Sequence, residues 1–505
     1  MDPGSVSAPA AVGERFERLT TAALRGVDVA SMAVFRIAFG LLMVWEAYRY
    51  LDKGWVAALW ADPTYRFTFR GFAWVPVAPE PVLTVLVVVV GVLGASIAVG
   101  VATRVSAGLL AVVFSYLFLL EATNYLNHFW LTVLLAGLLA VVATDGRWSW
   151  RARRHGAVEQ VPAWHLWVLR GQMTVVYVVA GIAKVQGDWL TGWPMRHWVP
   201  GSLQLPGLRQ LADEAWLAVA LSWGGMLFDL AIVPLLLWRR TRPFALLAAI
   251  AFHALNRELF GIGIFPYLGV AATLLFLDPG WPRTVVGRLR RLVPGWSAAT
   301  ASPTAGATAG RALAATDRTE RTDREAQPAV HPGVGRAPRR TVQVVVAVWV
   351  VVMLVLPVRP FVYAGEPMWT EEGMRLSWHM LLRSKVGELD YIVERDGQPP
   401  ERVDPREHLT SRQYRKVAAY PELIRQHAHH LADERDGEVR VRAIARASLH
   451  GRPMQELIDP QVDLAAEPPR LPPADWIVPL ESQPCGLIDQ DPCRDTGRPW
   501  RPVGR

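Results

Sequence analysis

Apolar residues gather in nine stretches, near 29–51, 82–101, 104–120, 128–144, 165–187, 216–237, 243–259, 264–278 and 341–358, separated by shorter polar segments. Read at helical period they predict nine membrane-crossing helices, several short enough to require tilt or to stop as half-helices. Arginine falls in alternate connections: Arg104, the RWSWRARR run at 147–154, WRRTR at 238–242 and Arg283 to Arg291. The remaining connections, near 52–81, 121–127, 188–215 and 260–263, mix signs or carry little charge. By the positive-inside rule the arginine-bearing loops face the cytoplasm, with the N-terminal segment 1–28 beside them. The expected localisation is the cell membrane, multi-pass, with the C-terminal domain extracytoplasmic.

Two segments break the apolar rhythm. Residues 296–340 are Ala, Thr, Gly, Pro and charge without an apolar period, which predicts a disordered cytoplasmic linker before the last span at 341–358. Beyond it, ELDYIVE (388–394) and EVRVRAIARASL (438–449) alternate as strands around a helical stretch at 411–434. The fold expected is therefore a membrane all-α bundle of about nine transmembrane helices, built on 29–295 and 341–358, with an extracytoplasmic α+β or β-rich domain over 359–505.

Polar residues inside the apolar runs are the candidate chemistry, because each must find a partner or a function in the bilayer. The stretch 165–193 carries Lys184 near its far end, and at helical spacing Tyr177, Ala180, Gly181 and Lys184 share one face against which a flat ring could lie. A lysine so placed either snorkels to the headgroups or works as a base. Composition bears on the choice: of 53 basic residues only Lys53, Lys184, Lys385 and Lys416 are lysine, and the property arginine lacks is the ability to lose its proton. TNYLNHFW sets Asn127 and His128 at the same depth as Lys184, and FHALNRELFGIGIFPY brings His253, Asn256, Arg257 and Glu258 to that end before Gly261, Gly263 and Pro266 interrupt the helix, as at a membrane cavity or a plain helical hairpin. Asp229 in WGGMLFDL needs a buried partner, with Arg170 and Arg242 both candidates, and Glu46 poses the same question behind Arg36. HAHH at 427–430 reads as a solvated histidine cluster, since its spacing does not share one helix face.

The net charge of +8 is distributed over inter-span loops without a nucleic-acid motif, so the partner it indicates is the bilayer. Cys485 and Cys493 are the only cysteines, which excludes a cysteine-ligated cluster and leaves one disulfide in the tail as an option.

FRIAFGLLMVWE, NHFWLTVLLAGLLA, LRGQMTVVYVVAGIAKVQGDWLTGW, WGGMLFDL, FHALNRELFGIGIFPY and LDPGWP, followed by SWHMLLRSK, ERDG and GRPMQELIDPQVDL, resemble in kind and order the vitamin K-dependent γ-glutamyl carboxylase family, its bacterial HTTM-domain relatives included. The resemblance implies an enzyme that oxidises vitamin K hydroquinone, of menaquinol or phylloquinol type, with O2 to the epoxide. The strong base so generated removes a γ-proton from a peptide glutamate, to which CO2 adds; no metal is implied. Lys184 stands at the family's lysine base, Asn127 at its quinol-binding position and His128 at a residue assisting carboxylation, while Tyr177, Gly181 and His253 would border the quinol. In GMRLSWHML, Met374 and Leu376 occupy positions the family fills with tyrosine; Trp378, Arg383 and Lys385 keep a stretch suited to an acidic, glutamate-containing peptide. A quinol oxygenase without peptide carboxylation, and a transporter or lipid-binding protein on the same fold, are the alternative readings.

Overall fold

A computed structural model describes residues 17–207, 209–292, 339–363, 365–469 and 474–481. The expected linker at 296–340 and both cysteines fall almost wholly outside these residues.

The bundle contains α1 (Ala30–Asp52), α2 (Glu80–Val99), α3 (Thr103–Leu119), α4 (Asn127–Val141), α5 (Trp164–Ala183), α6 (Ala215–Leu237), α7 (Arg242–Phe260), α8 (Phe265–Thr273), α9 (Trp281–Leu292) and α10 (Arg339–Val362). A helix coincides with each apolar stretch, but α1, α2, α5 and α6 alone among the described residues are long and apolar enough to cross a bilayer; α3, α4, Phe265–Phe276 and Val346–Val362 are shorter apolar helices. Of the nine expected crossings, four coincide with helices of spanning length and composition and four with shorter apolar helices. Helix α7 joins neither group because Arg242, His253, Asn256, Arg257 and Glu258 dilute it.

Close helix approach is set by small residues. A Cβ on Gly40 would lie 2.4 Å from the Gly94 carbonyl oxygen, so α1 and α2 touch backbone to backbone, a contact glycine permits and lipid-like side chains do not. Chain breaks follow backbone chemistry: α7 ends at Gly261 in the left-handed region (φ 55°), and Pro266 opens α8, where its missing N–H costs nothing. Arg36, fully buried in α1, spends its guanidinium on the carbonyls of Ile97 (2.9 Å) and Trp148 (2.7 Å), while Glu46 pairs instead with Arg49 at 2.6 Å.

The C-terminal domain carries an antiparallel sheet in the order β4 (Glu401–Val403), β3 (Lys385–Arg395), β5 (Val439–Leu449), β6 (Gln455–Glu456); a separate pair joins β1 (Gly26–Asp28) to β2 (Gln160–Pro162). Along β5 burial alternates as the sequence does, and its inner face packs under α12 (Pro421–Asp433). The helical stretch 411–434 is two helices, since Pro421 forces the preceding residue out of helical geometry after α11 (Ser411–Val417). His427 corrects the solvated-cluster expectation: it is wholly buried on α12, and burial holds its ring down to about 3, so it is neutral packing.

This domain is keyed into the bundle. Gln413 donates to the Tyr65 carbonyl (2.8 Å) and to buried Glu121 (3.2 Å), and Arg412 donates to Asn124 at 2.8 Å. Burial raises Glu121 above the usual carboxyl range, against the donors Thr123, Phe67 and Gln413 that favour its charged form. Arg452 grips Asp188 with both guanidinium nitrogens at 2.9 Å.

Candidate active site

Lys184 caps the C-terminal end of α5, where the helix hands over to the segment KVQGDW. Its ammonium donates to Asp229 on α6 at 2.8 Å and to the Ala180 carbonyl at 3.1 Å, and lies 5.2 Å from the centre of the Trp189 ring. Both partners are over nine-tenths buried. Neither arginine expected for Asp229 reaches it: Arg170 is held by the carbonyls of Leu275 and Leu277, and Arg242 by those of Leu236 and Leu237. An ammonium among apolar helices is not snorkelling here; it is the counter-ion of an equally buried carboxylate.

The Gly181 face is where α5 meets α6. A Cβ there would sit 2.7 Å from Leu230 Cδ2 and 3.1 Å from Leu230 N, so the glycine admits the neighbouring helix where the sequence had left room for a ring. That close approach also carries Asp229, one residue before Leu230, to Lys184. Two turns earlier on α5, the Tyr177 hydroxyl and His253 Nε2 are 3.0 Å apart, and His253 is pressed so tightly on Gly269 that a Cβ there would overlap its ring at 2.2 Å. Aromatic rings continue from this pair: Phe265 lies 5.8 Å from His253 and 6.0 Å from His128, and Phe228 stacks on Phe252 at 3.8 Å.

His128 Nε2 and the Arg49 guanidinium border Gly263 together, at 3.7 and 3.0 Å from where its Cβ would lie. Asn127 accepts a hydrogen bond from Tyr125 (2.7 Å), whose hydroxyl oxygen in turn accepts from the Leu376 backbone (2.7 Å). The GMRLSWHML stretch of the C-terminal domain is thereby fastened to the Asn127 end of the bundle. Trp378 is buried against the helix core and its indole N–H has no partner among the described residues; His253 Nδ1 is likewise buried without one among them. One cavity, about 480 Å³ including its open mouth, lies among α1 to α4, lined by Glu46, Tyr50, Trp60, Asn124 and Phe129, and does not reach Lys184.

Arg383 and Lys385 are occupied. Arg383 is paired with Glu371 and bonded to the Tyr420 hydroxyl, and Lys385 donates to the Trp369 carbonyl over the ring of the same tryptophan. Burial, with Arg383 nearby, brings the Lys385 amine down to about 7 against the opposing pull of Glu371. A basic stretch that looks suited to an acidic peptide is thus tied into the domain by groups 12 and 16 residues upstream and 37 downstream, which spacing along the chain does not reveal. Asp188, Arg452 and His379, which the sequence did not single out as functional, converge on the same end; their only sequence signal was membership of the quoted motifs.

No solved structure matches the chain. Residues 24–281 match the HTTM domain, and residues 338–483 match the vitamin K-dependent gamma-carboxylase lumenal domain. The first match spans α1 to α8 and the second spans α10 and the C-terminal sheet, in the order the motifs ran, and with its apolar helices the chain is a multi-pass membrane protein of the vitamin K-dependent gamma-carboxylase family.

Proposed function

We propose that this protein oxidises a vitamin K-type hydroquinone with O2 and couples that oxidation to carboxylation of glutamate in a peptide, with Lys184 as the base. The observation that carries the reading is the buried Lys184–Asp229 pair at 2.8 Å. The pair has no net charge whichever partner holds the shared proton. With that proton on Asp229, Lys184 is an amine with a lone pair in an apolar surrounding, able to take a phenolic proton of pKa about 10 by analogy with tyrosine. The developing anion then faces an ammonium instead of lipid.

The residues present suit such a group. Tyr177, Phe228, His253 and Phe265 offer ring faces, and Trp378 Nε1 and His253 Nδ1 are buried polar atoms without a partner among the described residues. Asn127, oriented by Tyr125, binds a hydroquinone oxygen through its free amide group, and the turn around Trp378 forms the peptide side. Once deprotonated, the hydroquinone supplies, with O2, the strong base that an amine cannot be for a carbon-bound γ-proton. His128 and Arg49 offer the polar end at which CO2 and the new carboxylate are held.

Purified protein in nanodiscs, given reduced vitamin K, O2, labelled CO2 and a glutamyl peptide, tests this. Epoxide together with label in the peptide is the expected result; epoxide without label would favour the oxygenase reading, and neither would favour a transporter or lipid-binding protein. His128→Ala is expected to retain quinol oxidation while losing label incorporation, and a strictly proportional fall in both would make His128 a residue of a shared step.

The arginine-bearing loops support an extracytoplasmic C-terminal domain. Alkaline phosphatase fused after Arg505 is expected to be active, and a fusion after Arg291 inactive; the reverse pattern would invert the orientation.

A further inference from the structure

The cavity among α1 to α4 lies apart from Lys184, and the polar atoms on its wall are only partly spent. Glu46 and Tyr50, one helical turn apart on α1, both line it and are 2% and 7% exposed. Glu46 gives one carboxylate oxygen, Oε2, to Arg49 at 2.6 Å, and Arg49 is fixed in turn by the Trp45 and Trp55 rings, 5.6 and 5.0 Å from their centres. Asn124, which also lines the cavity, uses both ends of its amide: it donates to the Leu59 carbonyl at 3.1 Å and accepts from Arg412 at 2.8 Å. Glu46 Oε1 and the Tyr50 hydroxyl make no hydrogen bond among the described residues. Buried polar atoms are nearly always paired, so two of them on side chains of one cavity wall point to a ligand that bonds there.

The wall selects the chemistry of that ligand. A carboxylate only accepts, so the ligand brings a hydrogen to Glu46 Oε1. The Glu46–Arg49 pair is neutral as a whole; an added cation would have no counter-charge among apolar walls and an anion would face the carboxylate, so the ligand is uncharged. The rest of the wall is apolar and aromatic: Tyr50 and Trp60 lie nearly parallel with ring centres 5.3 Å apart, and Phe114 meets Phe129 edge-on at 5.7 Å. At about 480 Å³ with its mouth, the cavity is too roomy for a single water and of the size that takes a small ring molecule. Its wall is shared with the polar end of the site above: Phe129 lies 4.7 Å from the His128 ring, and Arg49, bonded to Glu46, borders Gly263 beside His128.

We propose that this cavity is a second hydroquinone site, in which a neutral molecule of two fused rings sits among the aromatic side chains with one hydroxyl donating to Glu46 Oε1 and meeting the Tyr50 hydroxyl. The identification of the occupant as hydroquinone rests on the function proposed above; the recognition of an uncharged aromatic alcohol does not. Because the cavity does not reach Lys184, the molecule it holds is not the one being oxidised. It adjoins the reaction end across Phe129, so it keeps the next substrate molecule out of the bilayer and beside the site.

Binding of tritiated 1-naphthol to the full-length protein in nanodiscs, corrected with empty nanodiscs, tests this without turnover. Leu117→Trp and Leu59→Trp, which fill the cavity from α3 and from the turn at 57–61, are each expected to bind one saturable molecule fewer than the wild type at a near wild-type melting midpoint. Tyr50→Phe keeps the ring and removes the hydroxyl, and should bind the probe about 5-fold more weakly. 1-Methoxynaphthalene, with the same rings and no hydrogen to donate to Glu46, should displace the probe about 10-fold less well than unlabelled 1-naphthol. Under argon, 2-methyl-1,4-naphthohydroquinone, the ring system of reduced vitamin K, should displace it as well as 1-naphthol does. Folded cavity-filling variants that bind as many molecules as the wild type overturn the site. Unchanged affinity in Tyr50→Phe together with equal displacement by 1-methoxynaphthalene overturns it too, whether or not the filled variants fold. A hydroquinone that fails to displace the probe overturns the occupant. Displacement by hydroquinone in a wild-type protein that forms no epoxide would instead defeat the function proposed above and leave this site supported.

Discussion

Lys184→Arg should leave a folded protein without quinol oxidation. Arginine can make the Asp229 contact as well as lysine does, with two nitrogens where Lys184 offers one, so the buried carboxylate stays paired and the α5–α6 contact at Gly181 and Leu230 is preserved. What arginine cannot do is give its proton to Asp229 and present a lone pair, since a guanidinium stays protonated at any working pH. General-base loss typically costs about 10²–10⁴-fold in rate, and that is the fall expected here at near wild-type thermal stability. Asp229→Asn should behave differently: it leaves an ammonium buried without its counter-charge and should destabilise the fold by about 3–5 kcal/mol. Comparing apparent melting midpoints of the two variants separates chemistry from folding. Near-normal oxidation by folded Lys184→Arg would remove Lys184 as the base and return attention to the Tyr177–His253 pair.

The contrast between those variants depends on a contact that the sequence only half disclosed. Lys184 was legible because lysine is scarce in this chain, and Asp229 because a carboxylate inside WGGMLFDL demands an explanation. Their partnership was not legible, because it depends on the rotation and depth at which α5 and α6 cross, fixed by Gly181 against Leu230. The strands β3 and β5 were visible as alternation, since one face is buried and the other wet. The partners of Arg383 were hidden for the converse reason: Glu371 and Tyr420 are brought to it by the tertiary fold. His379 was hidden differently. Its tautomer is set by the Ser377 carbonyl on a turn that uses leucine and tryptophan at positive φ, where glycine would have announced the geometry.

Asp188→Asn should loosen the C-terminal domain from the bundle and weaken the site at the same time. Asp188 follows Lys184 by about one helical turn, next to the Trp189 ring that faces the lysine, and is one-twentieth exposed. Its charge is balanced by Arg452, which brings two nitrogens to its two oxygens at 2.9 Å. His450 lies 3.6 Å away, but burial holds its ring down to about 3, so at neutral pH it adds no positive charge. Neutralising Asp188 therefore leaves the Arg452 guanidinium, itself 2% exposed, as a buried cation stripped of its main counter-charge. Such a loss costs about 3–5 kcal/mol, whereas replacing both members by uncharged residues of similar volume is often close to neutral. The expected pattern is a large drop in the apparent melting midpoint for Asp188→Asn and for Arg452→Met alone, with much of it recovered in the double variant. Quinol oxidation supplies the second readout. If the pair serves only to hold the domains together, activity should return with stability in the double variant; if it also aims the segment 184–189 at the C-terminal domain, the double variant should be stable and slow. Single variants that melt like the wild type would show that the charge is solvated and that the contact has no structural weight.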